Sequence, residues 1–596
     1  MEQIINTLRD SKKARWTALI IVSLSMFGAY FFNYALSPVK PMLESILGWN
    51  SSDFGIYTSS YTWFNVFLFM LIFSGIILDK MGVRFTGLAA TSMMAIGTGL
   101  NYWALRHAFP EGAMILGIKT QVIISAIGFG IFGVGTEAGG ITVSKAVVKW
   151  FKGREMALAM GMQMSIARLG TALALGIALP MAKAYSYSSP VLLSFVLMLI
   201  ALSAFIVYSF MDKKLDASIA QSINGNNKED AFELKDILFI IRNKGFWYIA
   251  ILCVLFYSAV FPFLFYATYL MINKYHVNPN LAGSIPALLP FGTIFLTPLF
   301  GTVYDKKGKG ATIMIIGSLI LIMVHGILAI PFLNAWWLAA AVVIILGIGF
   351  SLVPAAMWPS VPKIIPEKQL GTAYAVIFWI QNIGLWIIPL LLGIILNSTN
   401  PDVTPNKIAV KEAVSSAYKQ VLSDKTFNLT VKEISQLAEK ASSRTIDSLV
   451  QNTTYEAVPI SLIDMGSLKS SISASTATAL SGINPVENKT KYYNDIEIKT
   501  SEAIYPIIER TKLNLRYNYF FDLLMFTSLS ILSLIFAFLT VTTSPIPVFA
   551  FLLIKPSILI MFNPISPGYD LSAIATVFLV PIISTISPGL IAICFI

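Results

Sequence analysis

Charge is what this sequence lacks. Only 12% of its 596 residues are Asp, Glu, Lys or Arg, against about 25% in a soluble domain. That shortage excludes a soluble enzyme. It also excludes a disordered chain, which stays unfolded through charge and polarity. Cysteine is nearly absent. Cys253 and Cys594 both sit in apolar runs, so neither a disulfide-stapled secreted domain nor a thiolate metal site is expected. No cleavable leader is evident, because Met1 to Arg15 is polar and the run after it is long enough to span.

What the chain has instead is apolar surface. Hydrophobic residues make up 56% of it, and its mean hydropathy is +0.73. Long apolar runs separated by short basic loops mark a multi-spanning membrane protein. The formal charge of +11 would suggest nucleic acid in a soluble chain. Here the positive-inside rule accounts for it, and no nucleic-acid partner is expected.

A span takes about 20 apolar residues. Runs of that kind lie near 16–37, 55–78, 85–106, 114–147, 157–183, 190–210, 246–271, 281–303, 311–332, 335–362, 370–396 and 517–540. The expected architecture is all-α, with twelve transmembrane helices in two six-helix halves. Residues 1–210 form the first half and 211–245 a cytoplasmic linker. Residues 246–396 hold helices seven to eleven, and 516–540 holds helix twelve. Basic residues gather in alternate loops: Arg9 to Arg15, Lys80 and Arg84, Lys149 to Arg154, Lys213 to Lys244, Lys306 to Lys309, and Lys363 with Lys368. The opposite loops hold few, namely Lys40, Arg106, Lys119, Lys183 and Lys274. Both ends of the twelve-span body are therefore expected in the cytoplasm.

Two segments stand outside this plan. Residues 397–515 form a polar insertion between helices eleven and twelve, on the outer face by the count. Within it, Thr430 and Glu433 read as a capping box before a helical run. Asn397, Asn428, Asn452 and Asn488 begin Asn-x-Ser/Thr triplets, which are glycan acceptors in a eukaryote. The tail, 541–596, is apolar but rich in proline, and its pattern assigns it no role.

One loop motif occurs twice. After span two the chain reads Gly75-Ile-Ile-Leu-Asp79-Lys80-Met-Gly82-Val-Arg84, and after span eight Gly301-Thr-Val-Tyr-Asp305-Lys306-Lys307-Gly308-Lys309. Internal repeats are how many transporters are built. The first glycine of each copy is expected to let a neighbouring helix come close. The aspartate suits a helix N-terminus, and the basic residues hold the loop at the headgroups. The motif resembles the signature loop of the major facilitator superfamily. That resemblance implies gating roles for Asp79, Arg84 and Asp305.

Ionisable residues within spans are costly and are functional candidates by default. Glu137 in span four and Arg168 in span five each lie about ten residues in from the basic face, hence roughly 15 Å deep and near the midplane. Two readings of the pair stand. It is a permanent salt bridge between the two helices, or it is a pair of opposite charges that receives a zwitterion. In the second reading Arg168 takes the carboxylate as a bidentate fork, and Glu137 accepts from the ammonium. Gln381 and Asn382, halfway along span eleven, are further candidates, as are Asn65, Gln163 and His325. A lone polar residue in a span more often bonds a neighbouring helix.

Three longer stretches narrow the resemblance: Trp150 to Gly170, Ala259-Val-Phe-Pro262-Phe, and Met357-Trp358-Pro359 continued by Val361 to Tyr374 and Ile380-Gln381-Asn382-Ile-Gly384-Leu. These resemble the major facilitator group called domain-containing protein one, the lysosomal dipeptide transporters, together with its bacterial relatives. The resemblance implies a passive dipeptide carrier in which a Glu on span four and an Arg on span five line the substrate site. The matching residues here are Glu137 and Arg168. The outer insertion and the proline-rich tail are departures from the family pattern.

The expected function is thus a secondary transporter of small zwitterionic solutes, dipeptides above all, working by alternating access and not an enzyme. No cofactor is implied, and the partners are a small-molecule substrate and the lipid bilayer. The expected location is a cell membrane, or the lysosomal membrane in a eukaryote. One alternative is an organic-anion carrier of the monocarboxylate type, with Glu137 as a coupling proton site. Another is a receptor or scaffold whose insertion binds a protein partner.

Overall fold

A computed structural model describes residues 8–110, 112–151, 155–220, 240–366, 370–405 and 516–542. Most of the insertion with its Thr430–Glu433 box, the triplets at Asn428, Asn452 and Asn488, Cys594 and the proline-rich tail lie outside the described residues.

The first half begins with α1 (Lys12–Ala35), capped by the Ser11 side chain. It continues through α2 (Lys40–Leu47), α3 (Ser51–Ser59), α4 (Trp63–Phe67) and α5 (Met70–Arg106). A short hairpin, β1 (Met114–Ile115) and β2 (Ile118–Lys119), leads into α6 (Thr120–Phe151), α7 (Met156–Ala184) and α8 (Ser189–Ala220). Helix α8 runs to Ala220, ten residues past the boundary expected for the linker. Its polar last turns are held by ion pairs described below. The second half contains α9 (Lys244–Asn273), α10 (Pro279–Ala282), α11 (Ser284–Lys307), α12 (Gly310–Ala329), α13 (Trp336–Met357), α14 (Leu370–Thr399) and α15 (Phe520–Thr542).

Ten helices among the described residues are long and apolar enough to cross a membrane. An eleventh span is the pair 51–67 and 70–106, bent by 57° at its break. The boundary expected between spans two and three falls inside α5, where Gly82 has φ +77°. Gly308, at the same place in the second copy of the loop motif, has φ +67°. Both glycines adopt a backbone conformation that side chains disfavour, so the repeat is real at the level of backbone shape.

Packing repeats as well. Helix α1 packs on α7 and α8 as α9 packs on α14 and α15. Helix α5 packs on α6 and α8 as α12 packs on α13 and α15. Glycine supplies the close approach within the first half. A methyl group on Gly128 would press on the Gly97 carbonyl, and one on Gly135 on the Ala90 carbonyl. Small residues at such contacts let backbones meet where lipid offers no hydrophobic drive.

The halves meet along two symmetric pairs, α3 with α14 and α7 with α11. A Cβ on Gly55 would lie 2.9 Å from the Gly393 Cα, and one on Gly283 would strike the Leu175 carbonyl. These contacts lie toward the face from which the insertion leaves. Near the opposite, basic face, a Cβ on Gly75 of α5 or Gly301 of α11 would meet nothing within 4 Å. The close approach expected at those two glycines is therefore absent. In this conformation the halves are drawn together on the insertion face and stand apart at these positions on the basic face.

Candidate functional site

Span two is not one helix. It is broken between α4 and α5, where Phe69 takes φ +53°. Discontinuous helices line transporter sites because they free backbone groups near the midplane. The break is buttressed from the other half. The Trp379 indole donates to the Val66 carbonyl at 3.1 Å, and its ring stacks on Phe69 at 5.4 Å.

Beside this break Tyr61 donates its hydroxyl to Glu137 Oε1 at 3.0 Å. Gly133, one turn before Glu137 on α6, sits directly against the Tyr61 backbone, with no room for a side chain. The glycine-rich stretch of α6 thus brings the tyrosine to the carboxylate. Tyr61 was not recognisable in the sequence, because its partner is 76 positions away.

Arg168, on α7, is half-buried, and its charged end lies among aromatic rings. The guanidinium carbon is 4.9 Å from the Phe350 centroid, 5.6 Å from Phe261 and 5.7 Å from Tyr30. Phe261 and Phe350 belong to α9 and α13, so this cation of the first half faces rings of the second. Cation–π contacts hold a guanidinium in a dry setting while its N–H groups stay available. Those rings continue as a platform. Tyr257 stacks on Phe261 and accepts the Trp358 indole N–H at 3.1 Å.

Glu137 and Arg168 form no ion pair in this structure, since each is held by aromatic partners instead. The permanent salt bridge considered from sequence is not formed in this conformation. Gln381 accepts from the Cys253 thiol at 3.4 Å, and Asn382 donates back to the Phe378 carbonyl of its own helix at 2.9 Å. Neither bonds Glu137 or Arg168. His325 is tied to Ser530 at 3.0 Å and stacks on Phe526, within the second half.

The loop-motif charges pair locally. Asp79 bonds Lys145 at 2.6 Å, not a helix N-terminus. Arg84 reaches Asp216 at 2.7 Å and Asp212 at 3.4 Å, and Lys149 binds both carboxylates. All these partners lie in the first half, so none spans the gap between halves. Asp212 and Asp216 were missed because that stretch was read as linker. Their i, i+4 spacing was the available signal. The side-chain surroundings of Asp305 lie outside the described residues.

A bundle of apolar helices in two repeated halves is the build of a membrane carrier. The family model for the Major Facilitator Superfamily matches residues 22–389, and a second, MFS_1 like family, matches 246–558. The chain belongs to the Major Facilitator Superfamily and is a multi-pass membrane protein of the secondary-transporter class. Among curated relatives, the lysosomal dipeptide transporter MFSD1 of Danio rerio is 28% identical over 402 residues, covering 64% of this chain and 81% of that protein. The Homo sapiens protein of the same name is also 28% identical over 402 residues, covering 64% and 80%. The nucleoside transporter NupG superposes with TM-score 0.51 at 11% identity, over 74% of this chain and all of that one. A bacterial homologue of the human lysosomal transporter Spinster gives 0.50 at 11%, over 90% and 98%. The last two concern the fold alone.

Proposed function

We propose that this carrier moves small zwitterionic solutes, dipeptides in the first instance, by alternating access about a site between Glu137 and Arg168. The observation that carries the reading is the pair's separation. An anion and a cation, on adjacent helices near the midplane, are each positioned by aromatic groups without neutralising one another. A substrate that bears both signs satisfies both, with its carboxylate on the Arg168 fork and its ammonium on Glu137. The name of the MFSD1 relatives supports the same substrate class. The pair of Trp379 with the broken span two, and the polar Gln381 and Asn382 one turn away on α14, are proposed to shape the cavity wall.

By the positive-inside rule we read the basic loops as cytoplasmic and the insertion as outside, with Gly82 proposed to divide two spans and make twelve. Asp79, Arg84 and Asp305 are proposed to exchange their local partners for partners across the halves when the cytoplasmic face closes. The setting is a cell membrane, or a lysosomal membrane in a eukaryotic cell.

The test is thermal stabilisation of the purified protein by dipeptides, free amino acids and monocarboxylates. A ligand at 100 times its Kd stabilises a protein that binds it only when folded by about 2.7 kcal/mol. Stabilisation by dipeptides, lost in Arg168→Ala and Glu137→Gln, is the expected result. Stabilisation by monocarboxylates alone overturns it and assigns an organic-anion carrier.

A further inference from the structure

The insertion face holds a second group of buried charges, remote in sequence from the first. Lys40, on α2, is 1% exposed, and Glu44, one turn on, is 0% exposed. Glu44 accepts from three hydroxyls: Tyr269 of α9, Tyr517, and Thr404 at 2.7 Å. Lys40 donates to Ser51 at 3.1 Å and lies over the Tyr269 and Tyr517 rings at 4.2 and 4.6 Å. Thr404 lies near the start of the insertion and Tyr517 just beyond its end, so Glu44 ties both flanks to the first half.

A third charge stands beside these. Asp522, in the first turn of α15, is 2% exposed, and neither of its carboxylate oxygens has a hydrogen-bond partner. The buried hydroxyl of Tyr519, which feels its charge, also lacks a partner among the described residues. Glu44 is therefore solvated by three hydroxyl donors, and Asp522 by no side-chain donor among the described residues. Its own backbone amide and the Lys40 charge act on it. A buried, unsolvated carboxylate is costly enough that it neutralises instead, and carboxyl groups in contrasting surroundings divide the anionic and acidic roles.

We propose that Asp522 is a proton-binding site reached from the insertion face: the carboxylate takes up one proton from that aqueous phase as the face closes and returns it as the face opens. The titratable and charged groups around it are Tyr266 and Tyr269 on α9, Lys40 and Glu44 on α2, Tyr517 and Tyr519 before α15, and His325 on α12, two turns deeper. The site rests on the transporter fold and not on the dipeptide reading.

The test needs no substrate. Vesicles carrying the full chain are adsorbed on a solid-supported membrane and stepped from neutral to mildly acidic buffer. The expected result is a transient charge displacement in the wild type, reduced to the level of protein-free vesicles in Asp522→Asn and retained in Asp522→Glu. An unchanged displacement in Asp522→Asn overturns the proposal. So does a displacement produced by a sodium chloride step at fixed pH, which assigns a metal cation. If Asp522→Asn does not fold, infrared spectra decide. A protonated carboxylic-acid band must be present at neutral pH in the Glu137→Gln variant, and its absence overturns the proposal.

Discussion

The two faces of this molecule are built from the same repeated helices and are not in the same state. On the insertion face, glycine meets backbone across the halves at Gly55–Gly393 and Gly283–Leu175. Rings cross there as well, with Tyr34 4.9 Å from Phe265 and Phe54 5.4 Å from Tyr266. On the basic face, Gly75 and Gly301 face open space, and the ion pairs of Asp79 and Arg84 stay within one half. The difference teaches where each state stores its stability. Closure on the insertion face comes from buried apolar and hydrogen-bonded contact. On the basic face the pairs Asp79–Lys145 and Arg84–Asp216 are partly exposed, and such pairs contribute little.

The sharpest break in that contrast is Glu44→Ala. It removes the acceptor of three hydroxyls and leaves Lys40 buried without its neighbouring anion. Loss of one member of a buried charged cluster costs about 3–5 kcal/mol. Distance measurements between spin labels on the two halves should show the insertion face open, and an unchanged distance distribution would show that Glu44 does not hold it shut. Gly55→Val comes next, because its side chain enters the Gly393 backbone. Overpacking of this kind costs about 1–3 kcal/mol. Thiol labelling of the α3–α14 seam should rise, with Gly393→Val giving the same result from the other side.

Smaller effects belong to the basic face. Asp79→Asn removes an ion pair in which both side chains are well exposed, and such pairs contribute about 0.2–1 kcal/mol. Its melting temperature should barely move, and a large drop would show that the pair holds the fold. Gly301→Val should be smallest, within about 0.5 kcal/mol of wild type, since its Cβ meets nothing. The same variant should nonetheless impede closure of the basic face. If cross-linking between the basic ends of α7 and α11 proceeds at the wild-type rate, those helices do not approach there.

Much of the fold was legible in order along the chain. Apolar runs of span length, the basic loops and the doubled Gly-x-x-x-Asp-Lys-x-Gly motif all act locally. Glu137 and Arg168 stand out in the sequence as charges deep within spans, because expected depth follows from residue count in a helix. Asp522 was legible and overlooked, as an acidic residue inside an expected span. The tyrosine on Glu137 and the rings around Arg168 were not legible. A span crowded with aromatics gives no sign of which ring faces inward until its neighbours are placed.

The sequence by itself determined a membrane carrier of repeated apolar helices, since bilayer burial leaves the backbone few other solutions. It also determined which few charges must be accounted for. Only the tertiary structure decided that Glu137 and Arg168 stay apart, and that Glu44 meets Tyr517 across 473 positions. It alone decided that one face is shut. The reason is physical. Hydropathy and helical periodicity are properties of neighbours along the chain, whereas closure depends on which surfaces of two rigid halves touch.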